Sequence, residues 1–184
     1  VVGHEETIAR KDGPLALIAD INSGRIAADR ILIVEGRDAL WVMSMGSMVF
    51  TIHLDSDRGG MHTQYVPFSQ NPLRHVGDLL AAIQSHQEHL DATTDHPLAG
   101  AERIDVGSVH GGDYFNRTPT RCTLMGTRRW CPGRNAQQVL EEIEALAKPF
   151  ALAGNLHLTV EMEHEREPFE TPREDAAVCA VSHA

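Results

Sequence analysis

Glu5 and Glu6, adjacent in His4-Glu5-Glu6-Thr7, can divide the work of a hydrolytic centre. One carboxylate holds a hard or borderline cation while its neighbour takes a proton from water. Asp29 can add a third carboxylate, although spacing alone fits three ordinary surface acids equally well. His62 follows paired glycines in Gly59-Gly60-Met61-His62, where a sharp turn can carry an imidazole to a loop tip and aim it at a developing oxyanion. His53 and His157 instead fall on strand faces, and with 11 histidines in the chain a structural role is the simpler expectation for them. Asn116 stands in the polar segment from Gly111 to Pro119, where its amide can both donate to and accept from a peptide-like ligand; a wide turn is the plain alternative. Arg129 ends a strand pattern with a forked donor that suits a substrate carboxylate, or it is a solvated surface charge.

The elements that must position these groups follow from periodicity. Residues 8 to 18 suit a helix, and Ile31-Leu32-Ile33-Val34 reads as a strand buried on both faces. Phe50, Ile52 and Leu54 then alternate with Thr51, His53 and Asp55, which predicts a half-buried strand. Asn71 as N-cap and Pro72 at the first helical position start a helix whose apolar stripe is Leu73, Val76, Leu80 and Ile83. Residues 91 to 100 read as a loop, Ile104 and Val106 as a second strand, and Cys122 and Leu124 as a third. Asn135 with Gln138 makes a capping box for a helix carrying Val139, Ile143, Leu146 and Phe150. Leu156, Leu158, Val160 and Met162 alternate with polar partners in the clearest strand of the chain.

Strand, helix, strand, strand, helix, strand is the order of a ferredoxin-like βαββαβ sandwich: an α+β domain with a four-stranded antiparallel sheet and two helices on one face. It is expected over residues 46–165, between α/β pieces at residues 1–45 and 166–184. The chain opens on Val1, and this bracketing predicts a domain inserted in a larger protein.

Composition narrows the partners. A net charge of -10 with dispersed basic residues argues against a phosphate-backbone binder, so no nucleic acid is expected. No apolar run approaches the roughly 20 residues of a membrane span. Cys122, Cys131 and Cys179 lack paired metal-ligand spacing and read as reduced thiols of a cytoplasmic protein.

Taken together, these pieces resemble the zinc-dependent exopeptidase and deacylase family of carboxypeptidase G, acetylornithine deacetylase, succinyl-diaminopimelate desuccinylase and aminoacylase. The resemblance rests on Glu5-Glu6; on Asp29 before the apolar run ending in Val34-Glu35; on Gly60-Met61-His62 ahead of Asn71-Pro72; on Asn116-Arg117-Thr118-Pro119; and on Arg129-Trp130. It implies that Glu5 is the general base, that Glu6 and Asp29 are zinc ligands, and that His62 steadies the tetrahedral intermediate in the partner subunit's active site. It also implies that Asn116 and Arg129 bind a small N-acyl amino acid or peptide, with Arg129 on a carboxylate. The full-length family carries two zinc ions and is a homodimer through this lid domain. His4 stands where the family usually has Asp, and two of five metal positions are present, which predicts weak metal binding and no activity for this piece alone. The rival expectations are a stand-alone dimerisation module or a small-molecule-binding domain of the same topology.

Overall fold

Phe50, Ile52 and Leu54 are fully buried on one face of a ten-residue strand, and the rest of the architecture is arranged around them. The computed structural model describes residues 12–29, 31–32 and 39–182. These divide into two compact units, one made of the described residues up to Leu40 with those from Ala176 on, the other of Trp41–Asp175.

The larger unit contains strands β1 (Met43–Ser44), β2 (Gly46–Asp55), β3 (Arg103–Gly111), β4 (Arg121–Trp130), β5 (His157–Arg166) and β6 (Phe169–Glu170). Its helices are α2 (Pro72–Thr93) and α3 (Ala136–Gly154); α1 (Asp12–Asn22) and α4 (Ala176–Ser182) belong to the smaller unit. The sheet order is β3-β4-β2-β5, antiparallel throughout, with β1 and β6 forming a separate two-stranded pair. This is the expected βαββαβ sandwich. The α+β class follows from register: Ile52 faces Leu124 on one side and Val160 on the other, so three strands contribute apolar residues to the same face. Helices α2 and α3 cover that face.

Side-chain size fixes local detail. Gly126 lies opposite Phe50, and a Cβ there would sit 2.2 Å from the Asp105 carbonyl oxygen and 2.4 Å from the Phe50 ring. The ring fills the space that a side chain would need. Helix α2 begins as expected, with the Asn71 side chain accepting from Leu73 N–H and Pro72 at N1. Helix α3 has the expected capping box between Asn135 and Gln138. It stops at Asn155, whose φ of 48° is left-handed and lets its N–H return to the Ala151 and Leu152 carbonyls.

Four expectations need correction. Ile31 and Leu32 are not in a strand and are 60% and 57% exposed, so the run beginning there is not a buried strand over its described part; Ile33 and Val34 lie outside the described residues. The first helix runs on to Asn22 rather than ending at Ile18, and residues 8–11 of its expected span lie outside the described residues. In α2 the buried stripe is His75, Val76, Leu79, Ile83 and Leu90, whereas Leu73 is 45% exposed. Val76 and Ile83 are buried as expected and Leu80 packs half-buried against the core, while the adjacent Leu79 takes the fully buried position because both leucines satisfy an approximate helical period. Finally, α2 continues through Asp91–Thr93 before Thr94 caps it, so the expected loop is shorter.

Candidate functional site

Beyond Asp55 the chain leaves β2 and folds back over the segment before β4. Gly60 takes a left-handed φ of 83°, and a Cβ on Gly59 would lie 2.4 Å from Thr120 Cα, so both glycines are required by the turn and by the close approach. Gly60 N–H donates to the Thr118 carbonyl at 2.9 Å, Thr118 N–H to the Met61 carbonyl at 2.8 Å, and Thr63 N–H to the Asn116 carbonyl at 2.9 Å. The last two bonds bracket an isolated antiparallel bridge between His62 and Arg117. Residues paired in this way, between two outer hydrogen bonds, hold their Cα atoms about 4.5 Å apart and project side chains to the same side.

His62 is exposed, and its ring is held from two directions. Gln64 N–H donates to Nδ1 at 3.1 Å, making His62 the cap of the 3-10 turn Thr63–Tyr65, and the Asn116 amide nitrogen lies 3.2 Å from Nε2. A neutral imidazole accepts at one nitrogen only, so the two contacts select opposite tautomers. The Gln64 donor is fixed by the backbone, whereas the Asn116 amide can turn about its Cγ bond and offer oxygen. The backbone therefore sets the Nε2–H form, which leaves a donor pointing away from the cap. The Tyr65 ring stands 5.9 Å from the imidazole, and Tyr65, Tyr114 and Phe115 are 70%, 56% and 85% exposed at this same end. A cavity of about 270 Å³ adjoins the pair, lined by Gly60, Gly112, Asp113 and residues 117–121. Thr118 Oγ1 is buried there without a hydrogen-bond partner among the described residues.

His62 and Asn116 are thus brought together. Arg129 is not with them. It pairs with Ser47 and Arg103 in register at the far end of β4, half-buried on the face opposite the helices. Eight residues of extended chain separate it from Arg121, so it stands roughly 25 Å along the strand from the His62 end. The chain also enters and leaves the larger unit at the Arg129 end, through β1 and β6. Glu5 and Glu6 lie outside the described residues, and Asp29 is exposed in an irregular stretch of the smaller unit. Among the described residues no three His, Cys, Asp or Glu side chains are grouped to hold a metal ion. Sequence reading passed over Arg117 because it looks like a spacer inside Asn-x-x-Pro; its pairing with His62 is a tertiary fact that only the register reveals.

Beside Arg129, Arg128 points the other way and is wholly buried. Its Nη2 donates to Glu102 Oε2 at 2.6 Å, its Nε to Glu142 Oε1 at 3.0 Å, and its Nη1 to the Arg129 carbonyl. Arg134 reaches Glu142 Oε2 at 2.6 Å and His86 reaches Glu142 Oε1 at 2.9 Å. Burial would push the Glu142 carboxyl up, but hydrogen bonds from His86, Arg128 and Arg134 and the charge of Arg128 prevail and hold it down to about 2.

The sequence profile of the peptidase dimerisation domain family matches residues 45–155. No curated protein matches the sequence. Among solved structures, the fold is similar to an M20 family metallo-carboxypeptidase from Sulfolobus solfataricus (TM-score 0.60, 14% identity, 90% of this chain and 56% of that one). It is also similar to a tripeptidase from Staphylococcus aureus (TM-score 0.57, 12% identity, 77% and 35%) and to a dinuclear metal-binding M20 peptidase from Bacillus subtilis (TM-score 0.53, 14% identity, 76% and 31%). At these identities the likeness is one of fold, and the chain spans between about a third and just over half of the length of these proteins.

Proposed function

Because this chain belongs to the M20 peptidase dimerisation-domain family by its match over residues 45–155, we propose that it is the dimerisation and lid portion of a metal-dependent amidohydrolase. In this reading residues 46–165 form the lid, and residues 1–45 and 166–184 are parts of the catalytic domain. The substrate is a peptide or N-acyl amino acid, and the protein is a cytoplasmic homodimer, in keeping with three cysteines that lack paired spacing. No helix among the described residues is long and apolar enough to cross a membrane. Glu5 as base, Glu6 and Asp29 as ligands, and zinc as the metal belong to the proposal for the whole protein; zinc would polarise the amide carbonyl.

The chain's own contribution is polar positioning. His62 donates from Nε2–H to the carbonyl oxygen as charge develops on it, and the Asn116 amide turns from the ring to the substrate amide. Arg129 receives a substrate carboxylate through its fork. The observation that supports a two-copy site is the separation of roughly 25 Å along β4 between Arg129 and the His62–Asn116 pair. One protomer cannot place both on a substrate of one or two residues. A second copy, related by a two-fold axis, can bring its His62 end to the first copy's Arg129 end.

Mixing two inactive variants of the full-length protein tests this. His62→Ala and Arg129→Ala homodimers should each be nearly inactive, while exchange of subunits should restore about a quarter of wild-type activity. Half the dimers are then mixed, with one intact site in two. If no activity returns although mixed dimers form, the shared site is wrong.

A further inference from the structure

Arg117 stands on the same side of the chain as His62 and one residue from Asn116. Its guanidinium is held rather than free to sweep. Nη2 meets Asp113 Oδ2 at 3.2 Å, and Cζ lies 5.7 Å from the centroid of the Tyr114 ring. Both partners of that ion pair are exposed, Arg117 at 45% and Asp113 at 71%, so water screens it and a ligand carboxylate can compete for the fork. Arg117 also lines the cavity of about 270 Å³, whose lining includes Arg121, itself engaged by Asp55 through Nε at 2.6 Å and Nη2 at 2.9 Å. That lining therefore has two cations and one carboxylate, Asp113.

We propose that Arg117 is a substrate-binding, specificity-determining residue that recognises a second carboxylate on the substrate, distinct from the one assigned to Arg129. The inference rests on the reading that His62 faces the scissile carbonyl. Cβ atoms of residues paired as His62 and Arg117 are lie about 5 Å apart, and both side chains extend the same way. A carboxylate bound by Arg117 then stands a few bonds from the carbonyl that His62 addresses. The substrate class this selects is an amide of an acidic amino acid, or of a dicarboxylic acyl group, rather than one with a neutral side chain. The fork suits such a group because guanidinium and carboxylate pair bidentately. Tyr114 beneath the guanidinium keeps the fork oriented at little further entropic cost.

The test uses the full-length metal-loaded protein and two matched pairs: N-acetylglutamate against N-acetylglutamine, and N-succinylalanine against its succinamide analogue. The readout is the ratio of kcat/KM within each pair. The wild type should favour the carboxylate by about 10- to 100-fold in at least one pair, mainly through KM. Arg117→Met should bring that ratio close to one, and Arg117→Lys should restore part of it, with thermal midpoints of both variants near the wild type as a check on folding. A wild type without carboxylate preference in either pair, or a preference that survives in Arg117→Met, overturns the inference while leaving the amidohydrolase reading intact. Absence of metal-dependent hydrolysis of any N-acyl amino acid or peptide by the wild type overturns both.

Discussion

The two ends of the four-stranded sheet carry nearly the same polar side chains in different surroundings. At one end Arg128, Glu102, Glu142, Arg134 and His86 form a network around a guanidinium that water does not reach. At the other end His62, Asn116, Arg117 and Asp113 stand at the surface with exposed aromatics beside them. Arg128 spends its donors on fixed partners within the fold, so a ligand would have to break an internal bond to reach it. Arg117 has one screened ion-pair partner among the described residues, and His62 is held at the surface through its Nδ1 and the Asn116 amide. Similar residue types therefore hold the fold at one end and stand open to solvent at the other, and burial distinguishes them.

Deleting Arg128 should separate the two ends most sharply. Arg128→Ala strands Glu102 and Glu142 in a site where each carboxylate depends on a cation, and breaking such a buried network costs about 3–5 kcal/mol. Urea denaturation should show a lowered midpoint with little change in slope. A loss below about 1 kcal/mol would mean that water or Arg134 replaces the missing guanidinium, and the contrast between the ends would weaken.

At the other end the effect should fall on activity rather than stability. His62→Ala in the full-length protein should lower kcat by about 100- to 1,000-fold, the range found when one oxyanion donor is removed. The same substitution should change stability by less than about 1 kcal/mol, since the imidazole caps only a single 3-10 turn at the surface. A large fall in the thermal midpoint with kcat unchanged would reassign His62 to the cap alone.

Acid should act on the buried end first. Glu142 is held down to about 2 from an ordinary 4.5, so its folded pKa lies below its unfolded one. The stabilisation is complete above about pH 4.5 and is lost as pH falls from there towards 2. The expected loss across that window is on the order of 2 kcal/mol, reduced from the full shift because the carboxylate retains some contact with water. Denaturation at a series of pH values should show this slope in the wild type and a flatter one in Glu142→Gln.

Much of this arrangement is legible in the sequence, for particular reasons. Phe50, Ile52 and Leu54 reveal β2 because a strand buried on one face must alternate. The starts of α2 and α3 are legible because Asn71-Pro72 and Asn135 with Gln138 satisfy orphan backbone donors through local chemistry. His62 stands out through its glycines. The buried network is not legible: Arg128 and Arg129 look alike until the register sends one inward and the other outward, and Glu102 and Glu142 lie 40 residues apart in sequence. Arg117 is hidden for the same reason, since its partner His62 belongs to a different loop. Ile31 and Leu32 mislead in the other direction, as an apolar run reads as buried whether or not a neighbouring sheet covers it.

The weakest effect tests whether geometry without burial is enough. Arg121 and Asp55 are directly opposite on β4 and β2 and form a bidentate pair at 2.6 and 2.9 Å, closer than Arg128 to Glu142, yet the Arg121 side chain is 52% exposed. The Asp55 hydrogen bonds and charge raise the Arg121 pKa, which leaves the guanidinium charged throughout the working range and gives the pair no pH dependence on that side. If burial sets the strength, Arg121→Ala should cost far less than Arg128→Ala, and the loss should shrink further at 1 M salt, where screening acts within about 3 Å. The Arg128→Ala loss should be nearly independent of salt, because its partners are shielded from ions. Equal salt sensitivity at the two arginines would show that bond geometry rather than burial governs them, and the division between a structural and a binding end would have to be drawn on other grounds.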